Sequence, residues 1–236
     1  MNLKPLSEIY RIWISDEGHL GFHLIIGFIV ALIAGILFVE IAEELVEAED
    51  IRLIDSAGRN LADAIAAPAM TRFMKAITFI GELSSMAVLS IVVGVLLFYK
   101  HSRRRLYTFA AIMGGGGLLN ALLKVIFARD RPLEGMIEVH GYSFPSGHAM
   151  GAAMFFGALG YVWFFSVERH FVARLIGIGF CVIAAVLIGF SRIYLGVHYT
   201  SDVFAGFLGG ITWTAICIFS TEAWIRWRKR AGKSSY

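Results

Sequence analysis

The chain has 236 residues, few enough for a single domain, and is 58% hydrophobic and 17% charged, against roughly 45–50% and 25% in soluble domains. Its formal net charge of +3 is too modest to signal a nucleic-acid binder. The two cysteines, Cys181 and Cys217, both fall in apolar runs, so no disulfide framework and no thiolate metal site is implied.

A helix that crosses a bilayer needs about 20 mostly apolar residues, because the hydrocarbon core is ~30 Å thick and a helix rises ~1.5 Å per residue. Measured this way, the sequence predicts six spans, at 20–39, 86–99, 106–127, 149–167, 172–190 and 203–224, the second extending back toward Gly81. The first follows Asp16 and Glu17 and lacks a small-residue cleavage pattern, so it reads as a retained anchor, not a secretory signal. The connection at 40–83 is predicted to carry an amphipathic helix at 61–80 on the membrane surface, with Phe73, Met74 and Ile77 on its apolar side. A lid packed over the bundle and an element that admits lipid fit that helix equally well. The glycine run at 114–117 reads first as close helix packing and second as a groove for an acyl or prenyl chain. The expected fold class is all-α: a polytopic membrane protein of six transmembrane helices plus an interfacial helix. It forms one integral-membrane domain over 1–236, with its motif-bearing core at about 106–224.

Lys and Arg beside spans collect on the cytoplasmic side. Lys100, Arg103, Arg104 and Arg105 give the clearest vote, joined by Arg226, Arg228, Lys229 and Arg230 near the C-terminus. Both termini are therefore expected in the cytoplasm of a multi-pass cell (inner) membrane protein. The connections at 128–147 and 191–201 are expected to face the periplasm or exterior.

Those connections hold three polar clusters, and ionisable groups at membrane depth cost at least ~2.5–3.5 kcal/mol each. In the first, Lys124 precedes Arg131-Pro132, about two turns apart if the helix persists, and the plainer alternative is a basic helix end that snorkels to headgroups. In the second, Pro145-Ser146-Gly147-His148 opens a helix. Ser146 can cap it, Gly147 lets a ligand approach the backbone, and free N–H groups there can seat a phosphate. A simple cap with an interfacial histidine is the alternative. In the third, Ser191-Arg192 precedes His198 and Asp202, whose spacing places them on one face of a helix. An Asp bonded to one imidazole nitrogen fixes the tautomer and frees the other, which makes His198 a credible nucleophile; a structural His–Asp bond is the alternative. Together the clusters supply three cations (Lys124, Arg131, Arg192), two histidines and a carboxylate. That set suits a phosphate or diphosphate bound by protein cations, with no metal and no cofactor expected. Asp202, Gly206 and Gly210 also form a small-residue seam for close helix packing.

At these residues the sequence resembles the type-2 phosphatidic acid phosphatase superfamily, the lipid phosphate phosphatases. It carries Lys, six residues, Arg-Pro; then Pro-Ser-Gly-His; then Ser-Arg, five residues, His, three residues, Asp. The resemblance implies that His198 attacks phosphorus to form a phosphohistidine, that His148 serves as acid and then base, and that Asp202 orients His198. Lys124, Arg131 and Arg192 would hold the phosphoryl oxygens, helped by Ser146 and the backbone near Gly147. It implies a hydrolase acting on a lipid phosphate or diphosphate such as undecaprenyl diphosphate, phosphatidylglycerophosphate or phosphatidate. No nucleic acid and no obligate protein partner is expected. A lipid phosphotransferase using the same intermediate is the nearest rival, ahead of a transporter or a non-catalytic lipid binder.

Overall fold

The computed structural model describes residues 16–47, 49–100, 102–167 and 171–233. All regular structure among them is helical. The helices are α1 (Asp16–Glu47), α2 (Glu49–Ala64), α3 (Pro68–Ile80), α4 (Leu83–Tyr99), α5 (Arg103–Ala110), α6 (Gly116–Phe127), α7 (Gly147–Ser166), α8 (Phe171–Tyr194) and α9 (Thr200–Lys233). A π-helical turn, Ala111–Gly115, joins α5 to α6.

Four stretches are long and apolar enough to cross a membrane: Ile25–Leu45, Arg103–Phe127, Phe171–Tyr194 and Thr200–Ile225. A fifth arises if α3 and α4, bent by 52° at Gly81, count as one. These helices turn large apolar side chains outward, among them Ile29 and Leu32 on α1, Val88 and Ile91 on α4, and Ile176 and Ile183 on α8. Helices that are apolar all round bury themselves in protein or in lipid, and these outward apolar faces suit lipid.

The run expected at 149–167 is α7, which differs in kind. It lies between α8 and α9 and buries Ala149, Met150, Ala152, Met154, Phe155 and Phe156, so protein surrounds most of it. The glycine seam of α9 allows this. A Cβ on Gly206 would stand 2.7 Å from the Ser146 carbonyl oxygen, and one on Gly210 would stand 2.7 Å from that of Met150. The run at 114–117 divides: Gly115 and Gly116 receive Trp213 and Met154, whereas Gly114 and Gly117 face open space. The Trp213 indole N–H donates to the Ile112 carbonyl at 3.1 Å, and so serves a carbonyl within the π-helical turn.

The expected amphipathic helix at 61–80 is not one element. Its first residues end α2, and Ile65–Ala67 break the helix before α3 starts at Pro68. Proline at the first helical position favours an extended residue before it, and Ala67 is extended (φ −153°, ψ 151°). The three named side chains meet different surroundings: Met74 is buried against Tyr194 and Leu195, Ile77 packs on the central core, and Phe73 is exposed. Tyr194 pins α3 to α8, its hydroxyl lying 2.9 Å from Thr71 Oγ1.

The C-terminal ends of α6 and α8 and the N-terminal ends of α7 and α9 meet at one end of the bundle. All three polar clusters lie there. Arg103–Arg105 begin the crossing that ends beside the site, so they stand at the opposite end.

Candidate active site

Helix α6 stops at Phe127, where Ala128 takes a left-handed conformation (φ 44°). Lys124 and Arg131 therefore do not converge along a continuing helix. They converge because the loop after α6 folds back: Lys124 Nζ donates to the Tyr142 carbonyl at 2.6 Å, and Arg131 Nη2 donates to the same oxygen at 3.1 Å. Arg131 is held further by the carbonyls of Gly141 (2.8 Å) and Val197 (2.9 Å). Gly141 has φ +80°, a backbone state that glycine adopts without strain.

His198 stands in the α8–α9 connection, before α9 begins at Thr200, so the expected shared helix face is not how it meets Asp202. Asp202 bends back instead. Its Oδ2 accepts the Tyr199 backbone N–H at 2.9 Å and lies 3.4 Å from His198 Nδ1. Ser143 bridges the pair, donating to Asp202 Oδ2 with its Oγ 3.2 Å from His198 Nδ1. On the other side of the ring, Arg131 Nη1 lies 3.0 Å from Nε2. A guanidinium has no acceptor, so Nε2 must accept. That assigns the proton to Nδ1, facing Ser143 and Asp202, and leaves the Nε2 lone pair directed at Arg131. Burial pushes the His198 imidazole down to about 4; Asp202 opposes the shift, while Arg131 and Arg192 add to it.

Arg192, in the last turn of α8, is 2% exposed and donates from Nη1 to Thr78 Oγ1 at 2.6 Å. Among the described residues its Nε has no hydrogen-bond partner, and neither does the buried Nε2 of His148. His148 lies in the first turn of α7 against the α3–α4 elbow, where a Cβ on Gly81 would come within 2.9 Å of its ring. Ser146 caps α7 through the Ala149 N–H and donates its own N–H to the Asp202 carbonyl at 2.9 Å, tying the second cluster to the third. A Cβ on Gly147 would meet Asn120 Oδ1 at 3.0 Å and Lys124 Cε at 3.8 Å, so its bareness keeps α7 open to α6.

The structure thus gathers all eight anticipated residues: His198, His148, Asp202, Lys124, Arg131, Arg192, Ser146 and Gly147. It adds four that the sequence reading did not single out. Ser143 bridges the His–Asp pair, Thr78 holds Arg192, and Arg129 donates to Asp202 Oδ1 at 2.6 Å. Asp55 takes the other arm of Arg129 at 2.8 Å. Arg129 had a signal in the dense Arg129-Asp130-Arg131 run; Thr78 and Asp55, far upstream, had none. Arg131, Arg192, Lys124 and both histidines are close enough to act on one another electrostatically, with Asp202 the carboxylate among them.

The PAP2 superfamily model matches residues 83–226. Phosphatidylglycerophosphatase B of Bacillus subtilis is 30% identical over 181 residues, covering 74% of this chain and 87% of that protein. Undecaprenyl-diphosphatase BcrC of the same organism is 33% identical over 133 residues, covering 53% of this chain and 63% of that one. The crystal structure of a transmembrane PAP2-type phosphatidylglycerolphosphate phosphatase from Bacillus subtilis superposes with a TM-score of 0.75 at 26% identity, covering 82% of this chain and 96% of that chain.

Proposed function

The chain belongs to the PAP2 superfamily, and from that premise we propose that it is an integral-membrane lipid phosphatase working through a phosphohistidine on His198. The observation that carries the reading is the two-sided environment of the His198 ring. Nδ1 faces Ser143 and Asp202, and the Nε2 lone pair faces a guanidinium that a phosphoryl oxygen would engage. In the first step Nε2 attacks phosphorus while the bond to the leaving oxygen breaks, and His148 gives that oxygen its proton. In the second, water attacks the phosphohistidine, His148 takes its proton, and the N–P bond breaks to release phosphate. Asp202 stabilises the charge that grows on the imidazole.

Lys124, Arg131 and Arg192 hold the equatorial oxygens, and protein cations balance the phosphoryl charge without a metal. The unpartnered Arg192 Nε supports this reading, because an anion beside it would supply the partner that a buried donor requires, and His148 Nε2 would donate to the same group when it carries a proton. Ser146 and the backbone at Gly147 complete the seat at the start of α7.

The substrate class is a lipid phosphate or diphosphate that reaches the site by lateral diffusion. The relatives' names point to phosphatidylglycerophosphate and undecaprenyl diphosphate. We count α7 as a sixth crossing, which places both termini in the cytoplasm and the site at the exterior or periplasmic face.

The test uses detergent-purified protein in excess EDTA, supplied separately with undecaprenyl diphosphate, phosphatidylglycerophosphate and phosphatidate. We expect phosphate release that survives the chelator and disappears in His198→Ala, with relative rates ranking the lipids. A His198→Ala variant with undiminished release would end the nucleophile assignment. Loss of activity in EDTA that added metal restores would end the metal-free mechanism, and a phosphorylated lipid product in place of free phosphate would make the protein a phosphotransferase.

A further inference from the structure

Asp202 is fully buried, and a buried carboxylate must be paired and hydrogen-bonded to remain charged. Ser143, the Tyr199 N–H and His198 all address its Oδ2. The other oxygen, Oδ1, belongs to Arg129, whose Nη1 donates to it at 2.6 Å and also to Ser201 Oγ at 2.8 Å. Arg129 lies 4.1 Å above the Tyr199 ring, and its second arm, Nη2, donates to Asp55 Oδ2 at 2.8 Å. Asp55 in turn accepts the backbone N–H of Ser201, in the first turn of α9, at 2.8 Å. Its two oxygens therefore fasten the cation and the helix that carries Asp202.

Helix α2 is shaped for this contact. Ile51, Asp55, Gly58 and Ala62 recur at helical spacing, and Ile51 and Ala62 are buried. Gly58 is bare where α2 crosses the start of α9: a Cβ there would collide with the Thr200 side chain. Asp55 lies upstream of the segment that matches the family model, residues 83–226, and Arg129 lies within it.

We propose that Asp55 and Arg129 are positioning residues that set the orientation and charge of the Asp202–His198 pair, so that the first connection governs the nucleophile without touching substrate. This rests on the assignment of His198 as nucleophile. Arg129 approaches the oxygen of Asp202 that faces away from the ring, which fixes the carboxylate plane and draws off part of its charge. The charged or titratable groups facing His198 are Asp202, Arg131, Arg192 and His148, and Arg129 acts on it through the first of them.

The experiment compares Arg129→Gln, Arg129→Lys and Asp55→Asn, alone and, for the first, combined with Asp202→Asn. One readout is phosphate release from short-chain phosphatidate in micelles. The other is the ring-15N spectrum of histidine-labelled protein in detergent across pH, with the His198 signal assigned by its loss in His198→Gln. Arg129→Gln should lower kcat about tenfold or more with KM within about twofold, because a carboxylate released from its plane no longer holds the ring in line for attack, while Lys124, Arg131 and Arg192 still meet the substrate. Asp55→Asn should move kcat the same way by less, and Arg129→Lys should recover part of the loss. In the Asp202→Asn background, Arg129→Gln should cost nothing further. The His198 titration midpoint should rise in Arg129→Gln, where Asp202 keeps its full charge, and should not respond to Arg129 once Asp202 is Asn.

Multiplicative losses in the double variant, a raised KM at constant kcat, or an unmoved midpoint would each overturn the proposal. The spectrum needs no turnover. A parent protein that releases no phosphate, yet whose His198 midpoint responds to Arg129 through Asp202, keeps the latch and loses the phosphatase reading; the reverse pattern keeps the phosphatase and loses the latch. Should Arg129→Gln fail to give monodisperse protein, Asp55→Asn, which retains an acceptor for the Ser201 N–H, carries both readouts.

Discussion

His198 is 4% exposed, and the groups around its ring are mostly cations, with Asp202 as the counterweight. Both facts disfavour the imidazolium, and they hold the ring at about 4 in the free protein, with burial the larger cause. The consequence for activity has a definite sign. A nucleophilic imidazole must be neutral, and a lowered value extends the neutral form toward acid: the ring would be about nine-tenths neutral at pH 5, where an ordinary histidine would be almost wholly charged. Because kcat/KM reports the free enzyme, its acid limb should bend near pH 4 once the substrate's own phosphate ionisation is divided out. A limb near the ordinary histidine value would show that burial does not set the ring's protonation. At this scale the sequence pointed to the residues that gather here more clearly than to their contacts. The spacing of His198 and Asp202 suggested a shared helix face, yet the bond forms across the start of α9 because the Asp202 carboxylate caps the Tyr199 N–H. Ser143 bridges the pair and Arg129 backs it because of the fold of the 128–146 loop, which no local periodicity encodes.

Among the elements, the contact of α7 with α9 decides how well the two histidines are registered. His148 starts one helix and Asp202 starts the other, and Ser146 joins them through the Asp202 carbonyl. Glycine permits the approach at Gly206, where added bulk would press on the Ser146 carbonyl at 2.7 Å, a backbone atom that cannot swing aside. Gly151, on α7, has open space where a Cβ would go. The same substitution should therefore have opposite effects. Gly206→Ala should destabilise by about 1–3 kcal/mol through overpacking and lower kcat by displacing Asp202 from His148. Gly151→Ala should stabilise by up to about 1 kcal/mol, since alanine replaces glycine in an open helical position. Thermal unfolding in detergent beside kcat tests the pair; equal and small effects would mean that the seam is not tight. The seam was legible in the spacing of Asp202, Gly206 and Gly210, because small residues four apart make one helix face. The break before Pro68 was legible in principle and outweighed by the apolar pattern on either side, whereas the burial of Met74 depends on Tyr194, a residue distant in the chain.

For the molecule as a whole, one vector orders everything: the site at one end of the bundle, and Arg103–Arg105 at the other, where the crossing that ends at Phe127 begins. Translocating three adjacent arginines is costly, and flanking Lys and Arg stay on the cytoplasmic side, so in the orientation we propose this end faces inward and the site faces out. A transmembrane helix reverses the side with each crossing, so a full alternation of sides requires α7 to cross completely, and its 20 residues span about 30 Å at 1.5 Å each. Four of the six apolar runs are long and apolar enough to cross as helices, and a fifth is if α3 and α4 count as one, whereas α7 is largely wrapped in protein and its hydropathy had less to do with lipid than with packing against α8 and α9. Orientation can be tested without activity. In a background with Cys181 and Cys217 replaced, a cysteine at the exposed Glu138, in the loop before α7, should react with a membrane-impermeant maleimide in intact cells. A cysteine at the exposed Lys100, beside α5, should react only after permeabilisation. The opposite pattern would invert the molecule and put the candidate site in the cytoplasm, where its lipid would have to come from the inner leaflet. Labelling of both positions in intact cells would mean that the chain between Lys100 and Glu138 does not cross, and the alternating arrangement on which the outward-facing site depends would have to be abandoned.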